Sequence, residues 1–142
     1  MYSYALVAAQ FFLAGMMLYW AEGITRSLPA AAVFAAGLAL GLWALRHNRP
    51  GNFNIRPDIK QGCGMVEGGP YRYIRHPMYA SVLGMMAGVL VSTPTWRELA
   101  AFVLLVAVLA LKARREERLW CNHHPGYDAY KKRTGMFLPF LF

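Results

Sequence analysis

Apolar positions along this chain gather into four runs, at 4–20, 28–45, 78–91 and 99–113, separated by polar connections. So few polar residues interrupt the runs that soluble helices, polar along one side, explain them poorly. The first two approach the ~20 residues needed to cross a bilayer. The third and fourth are shorter but extend into flanking residues, as at Arg114 to Trp120, where long basic side chains can snorkel. The pattern predicts an all-α, multi-pass membrane bundle of four transmembrane helices over about 4–20, 28–45, 78–91 and 98–119, with a cytoplasmic loop and a C-terminal amphipathic segment. One membrane domain then covers 1–142.

The connections carry their own signals. Aromatic residues close both ends of the first run, as at a membrane interface, and Pro29 suits the first turn of the second helix. Gly37-Leu38-Ala39-Leu40-Gly41 and Gly84-Met85-Met86-Ala87-Gly88 give small faces on which helices can approach closely, read here as packing. Asn48, Pro50, Gly51, Asn52 and Asn54 read as turns in the long connection 46–69, where Phe53 and Ile55 are expected to dip into the interface. That connection also holds Gly62-Cys63-Gly64-Met65-Val66-Glu67-Gly68-Gly69. Without a preceding strand or a following Lys-Ser/Thr, this is a flexible loop able to lie near a ligand, not a dinucleotide fingerprint. Ser92-Thr93-Pro94-Thr95-Trp96-Arg97 is a tight turn joining the third and fourth helices into an antiparallel hairpin. The tail puts Tyr127 and Tyr130 one turn apart on one face, and its apolar end, from Met136, is too short to span and is expected in the interface.

Charge changes the picture by its placement. The net charge of +8 suggests nucleic acid at first sight, but Arg46, Arg49, Arg56, Lys60, Arg72 and Arg75 lie between the second and third runs, and Lys112, Arg114, Arg115, Arg118, Lys131, Lys132 and Arg133 follow the fourth. The other two connections carry only Arg26 and Arg97. With four spans both basic regions fall on one side, so the positive-inside rule puts them, and both termini, in the cytoplasm. The expected partners are anionic membrane lipids and a lipophilic acceptor, not nucleic acid. The first run lacks a basic leader and an evident cleavage site, so it is expected to stay in the mature protein. Cys63 and Cys121 read as free thiols on the cytoplasmic side.

Candidate chemistry concentrates in Gly69-Pro70-Tyr71-Arg72-Tyr73-Ile74-Arg75-His76-Pro77-Met78-Tyr79. Pro70 after two glycines marks a turn, and Pro77 suits the first turn of a helix while disfavouring helix at His76. Arg75 and His76 should therefore stand beside free helix N–H groups and a positive dipole end, where anionic or multiply hydrogen-bonding ligands are held. Glu116 and Glu117, adjacent on a helix, point about 100° apart, so both cannot face one place, and a solvated helix end with i,i+4 ion pairs would explain them alone. Cys121, His123 and His124 have no metal-binding spacing, and no metal is expected. His47 reads as interfacial. What remains is Tyr71, Arg75, His76, Tyr79, Glu116, Glu117, Tyr127, Tyr130 and Arg133: cations for a carboxylate, carboxylates for an ammonium, aromatic faces for a purine or sulfonium. A zwitterionic nucleoside such as S-adenosylmethionine (SAM) would use all three. Charged anchors on a lipid-binding scaffold would use the same residue types.

The Gly-Pro-Tyr-x-x-x-Arg-His-Pro-x-Tyr block at 69–79 resembles the signature of the isoprenylcysteine carboxyl methyltransferase and phospholipid methyltransferase superfamily. The Glu116-Glu117 pair, Tyr127-x-x-Tyr130-x-x-Arg133 and Leu138-Pro139 are similar to its C-terminal pattern. The tail departs from it: His124-Pro125-Gly126 meets Tyr127 directly, where the family has Phe-Gly and two further residues. The resemblance implies a membrane enzyme that binds SAM, and its product S-adenosylhomocysteine, through 69–139. His76, Pro77 and Tyr79, with Tyr71, Arg75, Glu116 and Glu117, would shape the cofactor pocket, and Tyr130 and Arg133 would close it. For a carboxylate acceptor an arginine such as Arg133 would position the nucleophile; for an amine, Glu116 or Glu117 would take the proton. Carboxylate, amine and thiol acceptors all remain open, as does a membrane reductase using NADPH. Four spans enclose a small acceptor cavity, which a homodimer would enlarge.

Overall fold

Two of the helices begin where the sequence supplies caps. In the computed structural model, which describes residues 2–24, 27–48 and 65–139, the Ser27 hydroxyl accepts from Ala30 N at 3.4 Å and that of Thr95 from Glu98 N at 3.3 Å. Each satisfies an amide that the helix leaves unpaired. The described chain forms α1 (Tyr2–Trp20), α2 (Leu28–His47), α3 (Pro77–Ser92), α4 (Trp96–His123) and α5 (Tyr127–Arg133), with no strand among the described residues. Outside them lie Arg26, Arg49, Arg56, Lys60, the turns at Pro50, Gly51, Asn52 and Asn54, Phe53 and Ile55, the loop glycines Gly62 and Gly64 with the Cys63 thiol, and residues 140–142.

Two helices, α1 from Ser3 and all of α2, are long and apolar enough to cross a membrane. Only 22% of each is buried, the reverse of a core helix in a soluble protein, and Phe11, Phe12, Leu38 and Leu42 face outward. The other two expected spans differ. Helix α3 is apolar but has 16 residues, about 24 Å of helix against a ~30 Å hydrocarbon layer. Helix α4 has 28 residues, about 42 Å, so one crossing that layer would carry its charged end, from Arg114, beyond it.

Backbone contact, rather than side-chain bulk, holds α2 to α3. A Cβ on Gly37 would lie 2.5 Å from Met85 N, and one on Gly88 would lie 2.7 Å from Phe34 N. The Ser81 hydroxyl donates to Gly37 O at 2.8 Å across this seam. The two small-residue faces therefore meet each other, with dispersion at close range replacing the hydrophobic effect that lipid withholds. Helix α1 packs mainly on α4, and Met17, Met86, Val89, Ala101, Leu105 and Leu109 form the core between the pairs. At the end opposite the candidate chemistry, Glu22 N donates to Thr93 Oγ1 at 3.0 Å, tying the α1–α2 connection to the α3–α4 turn.

Only Thr93-Pro94-Thr95 separates α3 from α4, so the antiparallel hairpin brings the start of α3 beside the end of α4. The tail then returns to the same place. Residues 73–76 and 134–136 pair in parallel: Arg75 N donates to Gly135 O at 2.8 Å, His76 N to Met136 O at 3.1 Å, and Gly135 N to Tyr73 O at 3.0 Å. The sequence reading put the segment from Met136 in the interface. The structure uses Gly135 and Met136 to accept from the backbone amides of Arg75 and His76, while Leu138 stays exposed.

The glycine seam gives a clean contrast. Gly37→Ala should lower the thermal midpoint in detergent, because backbone atoms must move to admit a methyl group. Gly15→Ala, with nothing within 4 Å of its new Cβ, should gain about 0.5–1 kcal/mol from helix propensity. Equal responses would show that the seam is not closely packed.

Candidate functional site

Pro77 opens α3 and leaves His76 as its N-cap in a non-helical conformation (φ −122°, ψ 61°), with Arg75 immediately before it. A 3-10 turn, Gly69–Arg72, delivers the chain there. It starts at Gly69 with φ +57°, and its α-carbon faces the His47 ring so closely that any side chain would collide. Glycine is needed on both counts. His47 is thus a wall behind the turn, held by its Nδ1 contact of 3.0 Å to Trp43 O.

Arg75 and His76 are both buried, and both meet the end of α4. Arg75 Nε donates to Glu117 Oε1 at 2.6 Å, and its Nη1 donates to Lys131 O at 3.0 Å and to Thr134 O. Lys131 Nζ reaches Glu117 Oε2 at 3.1 Å. His76 lies between both carboxylates, with Nδ1 3.4 Å from Glu116 Oε2 and Nε2 3.3 Å from Glu117 Oε1. The Nε2 contact is close enough for ion pairing but lacks the alignment of a hydrogen bond, so that nitrogen has no hydrogen-bond partner among the described residues.

This overturns the expectation that Glu116 and Glu117 cannot face one place. Their Cβ atoms diverge, but the side chains are long and an imidazole offers nitrogens on two edges, so they approach His76 from either side. Nor is this a solvated helix end, since Glu117 is 2% exposed.

Aromatic rings build the walls. Tyr79 stacks on His76, with centroids 5.5 Å apart and planes 6° off parallel, and its hydroxyl donates to Glu116 Oε1. Tyr127 and Tyr130 are both buried on the inner face of α5, as their spacing predicts. Tyr127 stacks on Trp120 at 6.0 Å, and the Tyr130 hydroxyl donates to Tyr71 O at 2.6 Å. Arg133 stands outside the buried group: it is exposed, pairs with Glu67, and lies 5.6 Å from the Tyr130 ring centroid. Cys121 is a free thiol donating to Asp128 Oδ1 at 3.2 Å, and His123 Nδ1 contacts Leu119 O at 2.8 Å. Pro77 is buried at the base of the cluster.

Two residues escaped the sequence reading. Lys112, grouped there with the basic block after the fourth run, is 1% exposed. Its ammonium hydrogen-bonds Gln10 Oε1 on α1 and sits 4.9 Å from the Tyr79 ring centroid. The signals were present: Gln10 is a lone polar residue in an apolar run, and Lys112 stands four residues before Glu116 on one helix face.

The block 69–79, leading into α3, and the carboxylate pair nearly two turns before the end of α4 thus form one cluster. Both lie within residues 25–124, which the phospholipid methyltransferase family model matches. The chain belongs to the phospholipid methyltransferase family. That family is part of the membrane superfamily of isoprenylcysteine and phospholipid methyltransferases. Membership implies a methyltransferase, and with the two apolar helices it indicates a membrane protein. No curated protein and no solved structure matches the chain significantly. The family match stops before α5, so the roles of Tyr127, Tyr130 and Thr134 rest on the geometry alone.

Electrostatics follow the contacts. Burial opposes charge on both His76 and Glu117, yet each outweighs it for the other. The carboxylates raise the His76 pKa, and His76, Arg75 and Lys131 hold Glu117 down at about 2. Tyr71 is pushed up to about 12, by burial first and then by Glu116.

Folding is linked to both shifts. The Glu117 contribution is complete above its unfolded value of about 4.5 and is lost as pH falls toward about 2. The His76 contribution is complete below about 6.5 and is lost as pH rises through its elevated folded value. The thermal midpoint should therefore peak between about pH 4.5 and 6.5. Glu117→Gln should flatten the acid limb and cost about 3 kcal/mol by stranding Arg75. A variant as stable as wild type at pH 6, with the same acid limb, would refute the pairing.

Proposed function

We propose that this phospholipid methyltransferase family member transfers a methyl group from SAM to a lipophilic acceptor drawn from the bilayer, at the end of the bundle where α3 begins and α4 ends. One observation carries the reading: His76 is buried between Glu116 and Glu117, in a cluster closed by the tail. A lipid-binding scaffold has no use for these groups, because it must present its charges to headgroups, whereas here they are withdrawn from the surface.

The donor set fits a zwitterionic nucleoside. It combines an imidazole nitrogen without a hydrogen-bond partner, carboxylates for an ammonium, and the stacked pairs His76–Tyr79 and Trp120–Tyr127 for aromatic or sulfonium contact. When bound, SAM supplies a methyl carbon made electrophilic by its sulfonium. The residues' task is alignment and exclusion of water, and alignment alone can contribute ~7–11 kcal/mol. Glu117 is committed to Arg75 and Lys131, which makes it a positioning residue. Glu116, more exposed and oriented by Tyr79 and His76, is the carboxylate that faces ligands, and it would accept a proton if the acceptor had one to lose. Tyr130 fastens α5 to the 3-10 turn, and Arg133 with Glu67 forms an outer rim. In this reading the four apolar runs cross the membrane, and the basic residues then put this end and both termini in the cytoplasm.

Calorimetric titration of S-adenosylhomocysteine into detergent-purified protein tests the reading. Wild type should bind saturably, His76→Ala should lose at least tenfold in affinity, and Arg97→Ala, at the opposite end, should bind as wild type does. Absence of binding in a folded wild-type sample would defeat the methyltransferase reading. Equal losses in both variants would defeat the assigned site.

A further inference from the structure

The buried ammonium of Lys112 is a charge inside the described bundle that the candidate site leaves unused. A lysine at the end of an apolar helix ordinarily extends its stem toward water, as exposed Arg114 does two residues on. Lys112 turns inward. It carries three N–H donors, and among the described residues its one hydrogen bond is to Gln10 Oε1. The Tyr79 ring lies beside it, and no carboxylate of the described residues is within ion-pair distance. Glu116, one turn along α4, has its Oε1 engaged by the Tyr79 hydroxyl. A desolvated cation without a contacting anion is a high-energy arrangement, and a bound anion relieves it.

Location says which anion. Lys112 stands between the polar cluster and the apolar packing of α1 on α4, with buried Leu109 one turn away on the apolar side. Water-soluble anions would meet the polar cluster first, whereas a lipophile moving between the helices would meet Lys112 with its polar end leading. An amine arriving protonated would be repelled there.

We propose that Lys112, steadied by Gln10, receives the anionic end of a lipophilic acceptor, so that this site selects a carboxylate or thiolate over an amine. The selection rests on the methyltransferase reading above, but the anion site itself does not. Lys112 is then the specificity-determining residue, Gln10 is the positioning residue that keeps its ammonium turned from solvent, and Tyr79 is the wall shared with the cofactor side.

The test uses dodecanoate labelled with carbon-13 at the carboxyl, titrated into the full-length protein in detergent and followed by NMR, with dodecylamine as competitor. S-adenosylhomocysteine is titrated into the same samples. Wild type should shift the carboxyl signal saturably, and dodecylamine should fail to reverse it. Lys112→Gln should weaken dodecanoate binding at least tenfold while leaving S-adenosylhomocysteine affinity within about threefold, and Lys112→Arg should restore the dodecanoate response. Wild-type affinity for dodecanoate in Lys112→Gln would overturn the proposal, as would equal displacement by dodecylamine. If Lys112→Gln does not fold, the wild-type competition decides alone. Lys112-dependent dodecanoate binding without any S-adenosylhomocysteine binding would sink the methyltransferase reading and leave the anion site standing.

Discussion

A carboxylate buried as deeply as that of Glu117 cannot be tolerated alone, since an ion of its size loses several kcal/mol of hydration that only well-placed cations and donors return. The chain meets this demand from three separate stretches: Arg75 and His76 from the segment before α3, Lys131 from α5, and the α4 scaffold beneath. Arg75 repeats the logic, because its guanidinium is shared among Glu117 and the carbonyls of Lys131 and Thr134. No one of these stretches can shift without exposing a charge on another. The arrangement adds little net stability over an apolar core, but it fixes a single geometry at the place where ligand atoms would have to be aligned.

The rest of the bundle supports that place in two ways. The α2–α3 seam, backbone against backbone through Gly37, Gly84 and Gly88, sets the height and direction of α3 and thus of His76 at its cap. The α1–α4 pair does the same for the carboxylates, and Gln10 with Lys112 ties the two by a hydrogen bond between buried side chains. Lys112, Tyr79, Glu116 and His76 then form a continuous line of contacts from the apolar interior to the polar end.

Much of this was legible in the residues. Apolar run length located all four long helices to within a few positions, and Pro77 marked the start of α3 because its ring leaves few alternatives at that bond. The Tyr127–Tyr130 spacing found the inner face of α5 because a short helix has only one face to bury. The sequence could not convey reach. Helical angles treat Glu116 and Glu117 as rigid spokes, whereas three flexible bonds let them converge on one ring. Lys112 was misread because charge counted along the chain says nothing of which way a stem turns. The backbone pairing of 73–76 with 134–136 was invisible because carbonyls and amides leave no mark in residue identity.

That pairing carries a consequence for biosynthesis. Gly135 and Met136 supply backbone partners to Tyr73, Arg75 and His76, so the cluster is incomplete until they have left the ribosome. Helices α1 to α4 precede this segment in the chain, and however they pack, Arg75 lacks Lys131 and Thr134 until the tail docks. The cluster therefore closes only when 134–136 pair with 73–76, a step that joins the scaffold to the chemistry.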